Sequence, residues 1–277
     1  MYLNWLETTL YGLVSGLTEV LPISSQAHQM ILLNMLGINE SNHLLNLFVR
    51  LGILFALLLA YGQNLRRCYN EHKLSNSVRR RHKKPVDIQL ALDFRFLEVA
   101  MFPMIACFFL YGKTASWAMK PPIVSALLIL NSVLLFIPGY LPKGNKDSRN
   151  MSALDSLLFG LGGALTVLPG VSRIGACYSF AAARGADSQQ AIRWSLMFSI
   201  PALLIMSGFD LFGIISVGMG SLGFSFILQA LISGIAAFFS ATVAMKFIRN
   251  IAVQSGLYGF AYYSLGAALF AFIIYLY

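Results

Sequence analysis

The stretch TEVLPISSQAH, from Thr18 to His28, places a glutamate, a proline, two serines and a histidine between two apolar runs. The residues before it (LYGLVSGL) and soon after it (MILLNMLGI) have the composition of membrane-embedded helix. Charged residues are costly inside a bilayer and usually serve a function there. The rest of the chain indicates what that function is.

The composition is that of an integral membrane protein. Of the 277 residues, 57% are hydrophobic and 11% are charged, and the mean hydropathy is +0.70. An ordinary soluble domain has about 25% charged residues. The apolar runs are long and lack strict alternation, which favours helices over a barrel. We therefore predict an all-α polytopic membrane protein.

The net charge of +9 is concentrated in one polar segment, since eight of the 20 Lys and Arg residues lie between residues 66 and 84. A basic loop between apolar spans marks the cytoplasmic side and attracts anionic membrane lipids. Nucleic-acid binding by the run RRRHKK is the alternative, and it is the less favoured one. We expect membrane lipids, and no nucleic acid, as partners of this segment.

A span needs about 20 mostly apolar residues, and six segments qualify. Two more apolar regions, 5–37 and 153–183, are interrupted by Pro, Gly, Ser and charge, which predicts re-entrant helical hairpins. With the loop 63–95 inside, alternation places 140–152 inside and 211–222 outside, with both termini outside. The six predicted spans are 44–62, 96–112, 121–139, 191–210, 223–249 and 257–277.

The two interrupted regions resemble each other. GLTEVLPISSQ, from Gly16, aligns without a gap with GALTVLPGVSR, from Gly163, so that Pro22 meets Pro169. This predicts two repeats, 1–140 and 151–277, and three spans per repeat would make the second copy inverted. Inverted repeats with broken helices build substrate sites near the bilayer midplane. The repeat therefore predicts a pocket, in either an enzyme or a carrier.

In the second copy, Pro169 and Gly170 interrupt the apolar run, and a helix is expected to begin near Ser172. Its free N–H groups would form an anion site, to which Arg173 adds a guanidinium suited to phosphate oxygens. We therefore predict Gly170, Ser172 and Arg173 as substrate-binding residues, together with Ser24 of the first copy. The alternative is that Arg173 forms an ion pair with Glu19 or extends to the membrane surface.

In the first copy, Pro22 breaks the helix and Ser24 could cap the next one. Ser25 and His28 would then share a helical face, as a nucleophile and a proton shuttle. Glu19 could bind a divalent cation or act as a base. We predict Glu19, Ser25 and His28, with Arg173, as catalytic residues.

The motifs TEVLPISSQAH and PGVSRIGA, together with FSIPAL from Phe198, resemble those of the undecaprenyl-diphosphate phosphatase, or bacitracin-resistance (BacA), family, and the resemblance covers nearly the whole chain. It implies a phosphatase that converts undecaprenyl diphosphate to the monophosphate and so recycles the lipid carrier of peptidoglycan synthesis. It also implies a bacterial plasma membrane, a pocket open to the outer face and a divalent cation, Mg²⁺ or Ca²⁺. A homodimer is left open.

By resemblance, Glu19 matches the second acid of the family's E/Q-x-x-x-E motif, and Ser172 with Arg173 matches the core of its PGxSR motif. Ser25 and His28 match the family's serine and histidine. Arg173 would then hold the diphosphate, Ser25 or His28 would be the nucleophile, and Glu19 would bind metal or transfer protons.

The sequence also departs from the family pattern. Ser15 replaces the first acid, Ile174 a serine, Cys177 a threonine and Arg50 a glutamine. Losing a carboxylate weakens a two-acid metal site, whereas Arg50 adds positive charge and is predicted to bind substrate. These changes motivate an alternative function, a protein that binds or flips polyprenyl phosphate without hydrolysis.

Overall fold

The computed structural model describes residues 3–38, 42–78, 85–217, 223–254 and 257–276, and every regular element within these ranges is helical. The short 3₁₀ turns are Ala115–Trp117, Ile137–Tyr140 and Leu165–Val167. The helices are α1 Trp5–Val20, α2 Ser25–Met35, α3 His43–Val78, α4 Ile88–Phe108, α5 Tyr111–Thr114, α6 Pro121–Phe136, α7 Ala153–Ala164, α8 Arg173–Ala183, α9 Ser188–Val217, α10 Phe224–Gln254 and α11 Gly259–Leu276.

The outer surface of the bundle is apolar, as expected for a protein surrounded by lipid. Large side chains that are more than half exposed lie on several helices, among them Leu59, Phe109, Phe239, Val243 and Leu269. Many serines and several ionised groups are instead buried. This confirms the prediction of an all-α polytopic membrane protein.

Five helices in the described part of the chain are long and apolar enough to cross a membrane: α3, α6, α9, α10 and α11. The sixth predicted span, 96–112, corresponds to α4, which begins eight residues earlier and has Asp93, Arg95 and Glu98 in its first half. These charges exclude α4 from the count. Five of the six predicted spans therefore qualify by length and composition, and α4 lies at the position of the sixth.

Several predicted boundaries were wrong because helices continue past the apolar segments. The predicted loop 63–95 is helical as far as Val78 and again from Ile88, and the basic run 79–84 lies outside the described residues. Likewise, α9 continues to Val217, into the predicted loop 211–222. In α3 the helix continues into a polar segment, whereas in α9 the apolar residues themselves continue to Ser216.

Both interrupted regions fold back on themselves. In the first, Ser25 Oγ donates to the Ser15 carbonyl and Gln29 Nε2 donates to Ser15 Oγ, which places α2 alongside α1. In the second, Arg184 at the end of α8 forms an ion pair with Asp155 at the start of α7. The longest of these four helices, α1, has 16 residues, or about 24 Å, less than the hydrocarbon thickness of about 30 Å.

Close helix packing fixes each hairpin against a long helix. A Cβ added at Gly12 or Gly16 of α1 would lie 2.1 or 2.2 Å from carbonyl oxygens of α10. A Cβ at Gly160 of α7 would lie 2.2 Å from the Ala100 carbonyl of α4. Small residues spaced four apart allow such backbone approach in membranes.

Candidate active site

The two helix breaks meet in the interior of the protein. Ser172 Oγ, at the second break, donates to the Leu21 carbonyl at the first, over 3.3 Å. Gly175 packs so closely on Pro22 that an added Cβ would lie 3.2 Å from Pro22 Cβ. The two motifs that the sequence singled out are therefore brought together.

Asn131 of α6 joins the two breaks, and the sequence analysis did not identify it. Its Nδ2 donates to the Pro22 carbonyl at 3.0 Å and to Ser264 Oγ at 3.1 Å, and its Oδ1 accepts from the Ser172 N–H at 2.9 Å. An asparagine in an apolar helix is the signal that could have revealed it, because a buried amide needs partners.

The predicted helix start near Ser172 is confirmed. Ser172 Oγ accepts from the Gly175 N–H at 3.3 Å, as an N-cap does. Gly170 has φ +134°, and a Cβ there would lie 2.5 Å from Leu127 Cβ. Gly170 therefore shapes the turn before α8, since a side chain would be excluded there.

Arg173, the first residue of α8, is buried and fully engaged. Its Nη2 forms an ion pair with Glu19 from the end of α1, and its Nε donates to Ser199 Oγ at 3.1 Å. Its Nη1 lies 3.7 Å from Met206 Sδ. Ser199 lies eleven residues after the start of α9, about 17 Å along the helix and near the middle of its apolar segment, Ser188–Ser216. The ion-pair alternative for Arg173 is the arrangement observed.

A small pocket of about 20 Å³ lies beside this pair. Glu19, Ser24, Ser25, Ser172 and Arg173 all line it. A volume of this size holds about one water molecule. The remaining lining residues are Thr18, Gln26, Thr166, Val171 and Met206.

Ser24 differs from the prediction. It precedes α2, but its side chain makes no capping hydrogen bond, and its φ of +67° is the sole positive value at a non-glycine residue among those described. Backbone strain of this kind, of order 1–3 kcal/mol, tends to occur at functional sites. The prediction of a capping hydroxyl was wrong, and the hydroxyl belongs to a pocket-lining residue instead.

His28 does not line the pocket, although it shares α2 with Ser25. Its Nδ1 lies 2.8 Å from the Ser24 carbonyl, and its Nε2 lies 2.9 Å from the Tyr263 hydroxyl of α11, on which the ring also stacks. Both ring nitrogens therefore have partners, one of them the backbone carbonyl of a pocket-lining residue and the other a hydroxyl of α11. Of the two predicted nucleophiles, only Ser25 is among the pocket-lining residues.

Arg50 is also held outside the pocket. Its guanidinium forms an ion pair with Asp210 and donates to the Met206 carbonyl and the Tyr111 hydroxyl, each over 2.9 Å. Asp210 in turn contacts His43. The charge of Arg50 is thus compensated, contrary to the expectation of added positive charge at the site, and Arg50 reaches the site through Met206.

The other departures from the family motifs are buried residues that do not line the pocket. Ile174 is buried in the hydrophobic core, and Cys177 faces the Phe159 carbonyl of α7. Ser15 is buried and bonded to Gln29. None of these three side chains lines the pocket, so the substitutions leave its polar lining in place.

The donor set does not form a site for a resident divalent cation. Glu19 is the sole carboxylate on the pocket wall, and Arg173 already neutralises it. Among the described residues, no cluster of three or more His, Cys, Asp or Glu side chains could hold a metal ion. Protein cages for Ca²⁺ need several oxygen ligands, whereas Mg²⁺ is held by one or two carboxylates together with substrate phosphates.

The family described as "Bacitracin resistance protein BacA" matches residues 8–270 of the chain. The chain belongs to the BacA family. This match includes both helix breaks and every residue that lines the pocket. The sequence-based recognition of the family is therefore confirmed.

Relatives within the BacA family match over nearly their whole length. An "Undecaprenyl-diphosphatase" of Alkaliphilus metalliredigens (strain QYMF) is 29% identical, with 93% of this chain and 94% of the relative covered. "Undecaprenyl-diphosphatase 1" of Shouchella clausii (strain KSM-K16) is 27% identical, with 98% and 96% covered. An "Undecaprenyl-diphosphatase" of Methanobrevibacter smithii is 28% identical, with 93% of each chain covered.

Proposed function

We propose that this protein hydrolyses undecaprenyl diphosphate to the monophosphate within a bacterial plasma membrane, and so recycles the cell-wall lipid carrier. Membership of the BacA family and the names of the relatives support this function. The observation that carries it is the pocket at which the two helix breaks meet, where Glu19, Ser25 and Arg173 lie together. Ionisable residues inside membrane proteins are rare and usually serve a function.

Substrate binding begins with an exchange of partners at Arg173. The free volume of about 20 Å³ is too small for a diphosphate, so the Glu19–Arg173 pair must separate. The phosphate then takes the place of the carboxylate on the guanidinium, which is suited to either anion. The contacts of Arg173 with Ser199 and Met206 keep it oriented during the exchange, and the N-terminus of α8 adds a favourable dipole.

The same exchange prepares the chemical step. Glu19, once released from Arg173, is free to accept a proton. Ser25 Oγ attacks the terminal phosphorus and transfers its proton to Glu19, while the bond from that phosphorus to the bridging oxygen breaks and the polyprenyl monophosphate leaves. Glu19 gives this proton to the departing monophosphate and is again a carboxylate. Water then attacks the phosphoserine as Glu19 takes its proton, the bond from phosphorus to Ser25 Oγ breaks, and Glu19 returns a proton to Ser25 Oγ as phosphate is released.

Phosphate release from undecaprenyl or farnesyl diphosphate by the purified protein tests this proposal. We expect release by the wild type that depends on Ser25, with Ser216→Ala, an exposed serine at the far end of α9, as a control that retains activity. Binding without release, across metals and pH and with the fold intact, would refute the phosphatase. Leaflet-resolved transport in proteoliposomes would then test the carrier.

The divalent cation implied by the resemblance stays a prediction. Glu19 is the one carboxylate of the pocket wall that would hold such a cation, which would neutralise charge on the diphosphate. Assays in Mg²⁺, Ca²⁺ and a chelator decide whether turnover needs it.

We also propose the two inverted repeats and the orientation with the pocket open to the outer face. The packing of the hairpins supports the repeats, because the first helix of each hairpin packs against a long helix of the other half. In the first half α1 packs on α10, and in the second half α7 packs on α4. The distribution of Lys and Arg supports the orientation.

A further inference from the structure

A second cavity, of about 340 Å³, lies at the end of the bundle where α8 ends and α9 begins. Its volume falls within the range of about 300–1,000 Å³ for small-molecule sites, unlike the pocket beside Arg173. Three separate segments form it: 138–144, 178–189 and 257–258. Neither the phosphatase proposal nor the family motifs use it.

The cavity lies at the level of the lipid headgroups. Three of the five membrane-spanning helices have their ends at its wall, since the apolar segments are Pro121–Tyr140, Ser188–Ser216 and Gly259–Leu276. Gly139, Ser188 and Tyr258 line the cavity at these ends. Tyr258 is about half exposed and the neighbouring Tyr140 almost fully, as aromatic residues at a membrane–water interface usually are.

The polar lining is rich in donors. Lys143 is exposed at the rim, and no acidic side chain in the described ranges pairs with it. Asp187 is the sole acid among the lining residues, and its Oδ2 accepts from the Gln190 N–H as a cap of α9, where the positive end of the helix dipole offsets its charge. Gln189 and the hydroxyl pair Tyr178–Ser188 complete the lining. This chemistry suits an oxyanion with one negative charge.

We propose that this cavity binds the headgroup of an anionic phospholipid, with its phosphate at Lys143 and its acyl chains in the surrounding bilayer. The site adjoins the two helices that hold the phosphate pocket. Tyr178 and Ala182 lie on α8, which begins with Arg173, and Ser188 lies on α9, which contributes Ser199. A bound headgroup therefore fastens α8 to α9 at the end opposite the Arg173–Ser199 contact.

Lipid binding to the delipidated full-length protein tests the proposal independently of turnover. Dioleoylphosphatidylglycerol should give retained adducts in native mass spectrometry and raise the thermal unfolding temperature, whereas dioleoylphosphatidylcholine should do so far less. sn-Glycerol 3-phosphate alone should have little effect. Equal effects of the two lipids, or full stabilisation by the soluble phosphate, would overturn the proposal.

Two variants test whether the lipid binds in this cavity. Lys143→Ala should weaken the binding of the anionic lipid about fivefold, the usual effect of one basic residue near a membrane surface. Ala182→Leu, which fills the cavity from α8, should remove most of the adduct. The matched control is Lys113→Ala, an exposed lysine in α5. Lys113 is far from the cavity. The start of α4 contacts Ser148, which is close in sequence to the cavity segment 138–144, whereas Lys113 follows the other end of α4.

Wild-type binding in both Lys143→Ala and Ala182→Leu would overturn the proposal, as would an equal loss in Lys113→Ala. If Ala182→Leu does not fold, Gln189→Leu replaces it with the same expected loss. Phosphatase activity enters none of these measurements, so their outcome is separate from that of the proposed reaction.

Discussion

Arg173 and Glu19 form a buried ion pair that the proposed reaction must open. Removing one partner of such a pair usually costs about 3–5 kcal/mol, because a buried charge is left uncompensated. The pair therefore keeps the empty site folded and excludes adventitious anions. It also competes with the substrate for the guanidinium.

Glu19→Gln separates these two roles. Without the competing carboxylate, Arg173 should bind farnesyl diphosphate more tightly than in the wild type, while turnover falls about 10²–10⁴-fold through loss of the proton acceptor. Calorimetric binding and phosphate release measure the two effects on one preparation. Glu98→Gln, which alters an exposed carboxylate of α4, should change neither. A parallel loss of affinity and turnover in Glu19→Gln would contradict the partner exchange.

The two serines that precede α2 and α8 are expected to differ in their contribution to stability. Ser172→Ala removes a capping hydroxyl and should lower the free energy of unfolding by about 0.5–2 kcal/mol. Ser24→Ala removes a hydroxyl that caps nothing and should change it by less than about 0.5 kcal/mol. Thermal unfolding in detergent measures both. An equal loss in the two variants would show that Ser24 does cap α2.

Local sequence patterns predicted the residues that carry the motifs but not the partners that hold them. Glu19, Ser25, Ser172 and Arg173 stand out because they are polar residues beside helix breaks. Asn131, Ser199 and Met206 reach the site from α6 and α9, and no spacing in the sequence links them to it. Nor could the sequence show that Asp210 neutralises Arg50, because 160 residues separate the two.

Among the helices, α6 is the element that joins the two breaks, through Asn131. Asn131→Ala would leave the Pro22 carbonyl and the Ser172 N–H without their partner, at about 1–3 kcal/mol for each buried group. Stability and phosphate release should both fall. Asn34→Ala, which removes an amide bonded only within α2, is the control and should affect activity little. Unchanged turnover in Asn131→Ala would mean that the two breaks hold their positions without α6.

The contact of α1 with α10 depends on the absence of side chains at Gly12 and Gly16. Gly16→Ala would force its Cβ to within 2.2 Å of the Ala237 carbonyl, and overpacking usually costs about 1–3 kcal/mol. Gly266→Ala in α11 meets nothing within 4 Å and should be neutral or stabilising, since alanine favours helix by about 1 kcal/mol. Unfolding temperatures that rank the variants in the reverse order would contradict this packing.

The sequence predicted which helices and helix breaks occur better than it predicted where the helices end. Pro22 and the Pro169–Gly170 pair break the two hairpins where expected, because proline and glycine act through local geometry. The end of α3 was misplaced because the helix continues into a polar segment that contains good helix formers. The end of α9 was misplaced because its apolar residues continue to Ser216. The span predicted over 96–112 does form a helix, α4, but three charged residues keep α4 out of the count by composition, and one of them, Asp93, is paired with Arg193 of α9.

The whole molecule brings two distant segments of one chain into a single site inside a membrane. The repeat in the sequence predicted that they would meet, and the contacts between Ser172, Leu21 and Pro22 are those of such a meeting. The compact, closed state of the site could not be predicted, because it depends on side-chain pairs between the two halves. The closed pair makes partner exchange at Arg173 the first step of the proposed reaction.

The most direct measurement compares phosphate release from undecaprenyl diphosphate by the wild type, Arg173→Ala and Arg184→Ala. Both arginines lie at ends of α8 and form an ion pair with a carboxylate, but Arg184 is outside the pocket. We expect Arg184→Ala to keep most of the wild-type rate and Arg173→Ala to lose about 10²–10³-fold, as for other fixed groups that stabilise transition-state charge. Wild-type turnover by a folded Arg173→Ala protein would contradict the proposed role of this site.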